Sequence, residues 1–263
     1  MTGAGMMDCK KALTEAEGDF EKAVDILRKK GQKVSASRAD RETKEGVAVT
    51  RITTDGTKGY LLTLTCETDF VAKNEGFVTF ANSLMDIAVE NSATTIEAIL
   101  ALPFEDQLVA AKITEMTGKI GEKLEISHFE VIEAETVVPY IHSNGKLGVL
   151  VGLTNTSGSD VEEAGKDVAM QIAAMNPVAL DKDGVDATTV EREIEVGKEQ
   201  ARAEGKPEEM LEKIALGKLN KFYKENTLLS QSFVKDNNKT IAQYLNDVSK
   251  GMTVSAFKRV SIG

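Results

Sequence analysis

A chain of 263 residues, 41% of them hydrophobic, is long enough to bury a substantial core and to hold more than one domain. Its formal net charge of −10 argues against a broad nucleic-acid surface, because holding phosphates takes clustered Lys and Arg, and with no Trp there is little to stack bases on. Two cysteines, Cys9 and Cys66, are too few for a disulfide framework, and no apolar run reaches the roughly 20 residues that span a membrane, so a soluble cytoplasmic protein is expected.

From the amino end, residues 7–16 and 19–30 read as two short helices joined at Glu17-Gly18. Leu13, Phe20, Ala23, Val24 and Leu27 give them a small apolar face. Gly31 follows a basic last turn and reads as the helix stop. Lys10, Lys11, Arg28, Lys29, Lys30 and Lys33 form a local basic cluster. A unit this small buries too little to stand by itself, so it is expected to dock elsewhere or to want a further helix. We assign residues 1–33 to this module and the polar, aperiodic residues 34–45 to a linker.

Residues 46–52 and 59–65 then read as a hairpin of strands. A helix follows, with Phe77, Phe80, Ala81, Leu84, Ile87 and Ala88 at three- and four-residue spacing. The pattern returns in a hairpin over 137–154, followed by a helix from Val161. Gly59 and Gly148 stand 89 residues apart, whereas Leu84 and Val168 stand 84 apart, so the first copy is five residues longer between strand and helix. The insertion falls on Cys66-Glu67-Thr68-Asp69-Phe70-Val71-Ala72-Lys73-Asn74. Asp69 capping the helix with Phe70 packed as a staple is one reading of this segment; a protrusion that reaches into a partner is the other. A cap needs no extra chain, which favours the protrusion.

In the first copy a further helical pattern runs over 96–102 and, after Pro103, over 105–116. The two copies are expected to occupy 46–128 and 129–186, the second completed by 227–263. Between those parts, Val190, Ile194 and Ala201 lie on one helix ended by Gly205. Pro207 opens another with Met210, Leu211, Ile214 and Phe222. Gly past one helix and Pro just inside the next mark an antiparallel helical hairpin over 187–226. Residues 232–234 and 254–260 read as returning strands with a helix over 240–246. The fold class expected is α+β, with two repeated subdomains of antiparallel strands plus helices and an inserted hairpin.

Chemistry-bearing motifs are scarce. No G-x-x-x-x-G-K-[S/T] phosphate loop occurs, and His128 and His142 with two scattered cysteines lack metal-ligand spacing, so neither metal nor cofactor is expected. Cys66, His142 and Asp69 could compose a thiol-dependent hydrolase, although Cys is often only a small buried hydrophobe. His142, beside Ser143-Asn144-Gly145, is either a turn residue or a contact.

Two stretches carry a family resemblance. Thr2-Gly3-Ala4-Gly5-Met6-Met7-Asp8-Cys9-Lys10-Lys11-Ala12-Leu13 and Thr68-Asp69-Phe70-Val71-Ala72-Lys73-Asn74 resemble the two signatures of the bacterial elongation factor Ts family. The likeness covers essentially the whole chain. It implies a guanine nucleotide exchange factor that acts by binding elongation factor Tu, in its GDP-bound and nucleotide-free states, and displacing its Mg2+. It also implies a ubiquitin-associated-like (UBA-like) amino-terminal module, whose usual first helix is not expected here, and a coiled-coil hairpin. The resemblance puts Thr68, Asp69, Phe70 and Val71 on the segment that dislodges magnesium. Met6, Met7 and Lys10 would add contacts to the partner's nucleotide domain, His142 would face the partner, and Lys73 and Asn74 would support the loop. A homodimer through the hairpin stays open. The alternatives are the Cys66/His142 hydrolase and a non-catalytic adaptor that binds peptides through its helical module.

Overall fold

A computed structural model describes residues 6–157 and 160–263; Thr2-Gly3-Ala4-Gly5 of the first signature lie outside them. In chain order the elements begin with α1 (Met6–Glu15), α2 (Phe20–Ser37), β1 (Glu45–Ile52), β2 (Lys58–Cys66), α3 (Asp69–Ala72) and α4 (Glu75–Glu90). Next come α5 (Ile96–Leu100), β3 (Pro103–Phe104), β4 (Gln107–Leu108), α6 (Val109–Ile120) and β5 (Glu125–Glu133). The second half holds β6 (Thr136–Ile141), β7 (Leu147–Thr154), α7 (Val161–Met175), α8 (Ala187–Ala203) and α9 (Glu208–Asn226). It closes with β8 (Ser232–Phe233), β9 (Asp236–Thr240), α10 (Ile241–Val248) and β10 (Thr253–Ser261). The class is α+β, and both three-stranded sheets, ordered β1-β2-β5 and β10-β7-β6, are antiparallel.

The strands alternate as a two-residue period requires. On β2, Tyr60, Leu62, Leu64 and Cys66 face a core shared with Phe77, Phe80, Ala81, Leu84 and Met85 of α4, while Leu61 faces the other way. On β7, Val149, Val151 and Leu153 face α7, and Leu150 faces the other way. The two sheets therefore meet back to back through Ala48, Leu61, Ile132, Val137, Leu150 and Val260, with helices covering both outer faces. The meeting is reciprocal. A Cβ on Gly59 would run into Val137, and one on Gly148 would run into Leu61, so each copy supplies a glycine where the other needs room.

The five-residue difference between the copies is visible in the packing. Phe77, Phe80, Ala81, Leu84, Met85 and Ala88 are the buried face of α4; Val161, Ala164, Gly165, Val168, Ala169 and Ile172 lie on that of α7. Each pair is 84 residues apart, whereas the paired strands are 89 apart. The extra chain sits between β2 and α4.

Three local expectations are corrected. Gly31 does not stop the helix: α2 continues to Ser37, and Gly31 is buried where α2 crosses Gly118 of α6. The close approach of the two backbones there rests on Gly118, whose Cβ would strike the Gly31 Cα. After Pro103 the chain makes the small β3–β4 hairpin, with Glu105 at φ 55°, before α6 begins at Val109. Residues 232–234 do not return to a main sheet either, because β8 pairs only with β9. Strand β5 was not anticipated, and the expected division at residue 128 falls inside it. A bulge opposite Thr63–Leu64 puts Ile126 on the α4 side and Ile132 between the sheets, so β5 shows no unbroken alternation, and Glu125, Glu130 and Glu133 interrupt its apolar residues. Helices α8 and α9 form the expected antiparallel hairpin, with Gly197 against Ala215 and Ala201, Leu211 and Leu219 buried.

Candidate partner-binding site

The segment from Glu67 to Asn74 is a pinned turn. Val71 and Ala72 of α3 pack onto the core beneath, and within one helical turn that leaves Phe70 facing outward, 84% exposed. The Glu122 carboxylate, just past α6, accepts from the Glu67 amide (3.1 Å), the Thr68 amide (3.0 Å) and the Thr68 hydroxyl (2.7 Å). Glu67 turns its own carboxylate to Arg38, whose Nη1 donates to both oxygens at 2.8 Å, and to the Lys123 amide at 2.7 Å. Burial pushes the Glu67 carboxyl up, but the Lys123 amide and the Arg38 guanidinium outweigh it and hold the group below the usual carboxylate range. Ionic hydrogen bonds of this kind are short and strong.

Asp69 does not cap α4. It lies in the first turn of α3 and binds Lys73 at 2.7 Å. The Lys73 hydrogen bond and charge hold its carboxyl below the ordinary value, with a smaller contribution from Lys146. Lys146 belongs to the second copy and is itself paired with Glu45 of β1, so the β6–β7 turn lies within electrostatic reach of α3. The same turn brings the Gly145 carbonyl to the Ala48 amide at 2.8 Å. His142 is exposed in it, its Nδ1 3.0 Å from the Tyr140 hydroxyl. Asn74 supplies the cap of α4, accepting from the Gly76 amide at 2.9 Å.

Met6 and Met7 are 87% and 65% exposed at the start of α1, and Lys10 is exposed one turn on. Asp8 in that turn binds Lys30, and Arg28 binds Asp106, so part of the basic cluster is neutralised within the chain. From Lys30, α2 runs about 12 Å further to Arg38, at 1.5 Å per residue, where it grips Glu67. The module and the Phe70 turn are thus joined through one helix. Their link is Arg38–Glu67, which the sequence pattern did not single out.

Cys66 is fully buried and donates to the Thr68 carbonyl at 3.2 Å. Burial, helped by the Glu122 charge, pushes its thiol up to about 12. A thiol held protonated inside the core is a poor nucleophile, so the hydrolase alternative loses its central group. Among the described residues no group of His, Cys, Asp and Glu could hold a metal ion. No described helix is long and apolar enough to cross a membrane. What the arrangement offers is an exposed aromatic on a rigid turn, flanked by a carboxylate and a lysine.

Comparison with known proteins bears on the same segment. A family model described as Elongation factor TS matches residues 67–263, beginning at the first residue of the pinned turn. The whole chain is similar to elongation factor Ts of Cytophaga hutchinsonii, 62% identical over 263 residues and covering 95% of that protein. It is likewise similar to elongation factor Ts of Amoebophilus asiaticus, at 54% identity over 263 residues and 95% of that protein. The protein of that name from Christiangramia forsetii is 52% identical over 262 residues, 94% of its length.

Proposed function

The chain belongs to the elongation factor Ts family, and from that premise we propose that it is a guanine nucleotide exchange factor for elongation factor Tu, acting by binding in the cytoplasm. The observation that carries the reading is Phe70, an aromatic left 84% exposed on a turn that is otherwise tied down. Fully burying a Phe contributes about 1.5–3 kcal/mol, and a turn already ordered in the free chain loses little entropy on docking. Such a residue is suited to be a hot spot in a partner's pocket.

The mechanism needs no covalent step. In a GTPase, magnesium bridges the phosphates to the protein and contributes much of the nucleotide's hold. A factor that binds the metal-free, nucleotide-free GTPase best lowers its affinity for GDP, and by linkage GDP lowers the factor's affinity in return. Phe70 is the wedge, Thr68, Asp69 and Val71 shape the segment that dislodges Mg2+, and Lys73 and Asn74 support it. Met6, Met7, Lys10 and His142 are the outlying contacts. For the domains we propose the module, the two sheet units and the α8–α9 hairpin, with the division between the sheet units set after β5. Val196, Met210 and Leu216, between 39% and 46% exposed on the hairpin, support self-association there.

The test is stopped-flow release of a fluorescent GDP analogue from elongation factor Tu. The wild-type chain should accelerate release strongly, and Phe70→Ala should lower that acceleration about 30-fold or more, the loss of a hot spot of 2 kcal/mol or above. Because Phe70 is exposed, the variant's stability should stay within about 0.5 kcal/mol. No acceleration by the wild-type chain would refute the exchange reading. Equal acceleration by both would remove the Phe70 turn from the mechanism.

A further inference from the structure

Phe70 cannot hold its own place, because its ring is 84% exposed. Nor can α3, a helix of four residues, far below the length at which a helix is stable alone. Its N-cap residue, Thr68, makes no side-chain cap bond, since the hydroxyl is given to Glu122 instead. Three bonds from two consecutive residues converge on that one carboxylate, which arrives from a distant stretch of the chain. We infer that Glu122 is a positioning residue for exchange, fixing the turn from which Phe70 is presented.

The inference rests on the exchange reading above and adds to it a residue outside both signatures. Glu122 acts through the backbone of residues 67 and 68. Losing it leaves the turn held only by the Glu67 clasp and by Val71 and Ala72, so that Phe70 is aimed over a wider range of directions. Misplacement by about 1 Å is enough to cost two orders of magnitude where geometry governs a rate. The consequence falls on the maximal rate of release more than on the concentration of factor needed, because the remaining contact surface is intact.

The experiment uses the full chain with Glu122→Ala, Glu122→Gln and Phe70→Ala. It reads GDP-analogue release against factor concentration, and hydrogen exchange of the amides at 67–73. Glu122→Ala should lower the maximal rate about tenfold, keep half-saturation within about threefold and speed amide exchange in the turn. Glu122→Gln should restore the rate to within about threefold of wild type, since its carbonyl can take both amides while its NH2 donates to the Thr68 hydroxyl. If Glu122→Ala loses its cooperative thermal transition, Thr68→Val, which drops only the hydroxyl bond, replaces it with the same expected split. A wild-type maximal rate in Glu122→Ala beside a slow Phe70→Ala would overturn the inference and leave the exchange reading standing. So would a Glu122→Gln as slow as the alanine variant. A wild-type chain that fails to accelerate release would bring down the exchange reading, and this inference with it.

Discussion

The connection from β2 to α4 and the one from β7 to α7 begin with the same device. In the first copy Glu122 accepts from the amides of Glu67 and Thr68 and from the Thr68 hydroxyl. In the second, Glu135 accepts from the amides of Asn155 and Thr156 and from the Thr156 hydroxyl, at 2.7, 3.1 and 2.7 Å. Beyond that point they part. The first copy has five more residues before its helix, and they form α3 with Phe70 at its outer side. In the second, β7 ends at Thr154 and α7 opens at Val161. A repeat thus keeps what holds a connection in place and varies what the connection carries. Holding belongs to folding and recurs; the exposed aromatic occurs in one copy only, as a functional addition would.

Four glycine substitutions test how far the copies share one structural logic. The largest effect is expected at the docked module, which the first copy alone carries. A Cβ on Gly118 would strike the Gly31 Cα, so Gly118→Ala should destabilise the chain by about 3 kcal/mol in chemical unfolding. A Cβ on Gly31 comes only to 3.7 Å from Gly118, an ordinary contact. Gly31→Ala should therefore be neutral, or stabilising by up to about 1 kcal/mol through helix propensity. Next comes the shared face between the sheets. Gly148→Val would press chiefly on the far ends of Leu61 and Ile141, which can give, and should cost about 1–2 kcal/mol. Gly59→Val should cost a similar amount if the reciprocity is real.

The smallest effect concerns the clasp beside the Phe70 turn. The Glu67 carboxyl is held below its free value of 4.5, so its contribution to stability is complete above that pH and is lost as pH falls through the lower folded value. The difference in unfolding free energy between wild type and Glu67→Gln should be about 1 kcal/mol at neutral pH. It should shrink towards zero below pH 4.5. A difference that grows on acidification would reverse the assignment.

Much of this was legible in the sequence because it is written in spacing. The hairpins, the α4 and α7 faces and the five-residue insertion all follow from apolar periodicity, and the α8–α9 hairpin follows from Gly205 and Pro207. Gly31 misled because a glycine after a basic turn reads as a helix end, whereas α2 runs on through it to Ser37 and crosses α6 at Gly118. Strand β5 was hidden by its bulge and by the glutamates interspersed along it. At the site, the exposed position of Phe70 depends on Val71 and Ala72 finding a core to pack on. Glu122 lies 54 residues from Thr68, a separation that no local pattern spans. The motif named the turn; what holds it came from elsewhere in the chain.

The most direct test sets the two connections against each other in one stopped-flow series of GDP-analogue release from elongation factor Tu. Phe70→Ala removes the feature that only the first copy has, and Glu135→Ala removes the clamp of the second. The account predicts a loss of about 30-fold or more for Phe70→Ala and a rate within about threefold of wild type for Glu135→Ala. Equal losses in both, or a wild-type rate from Phe70→Ala, would contradict it.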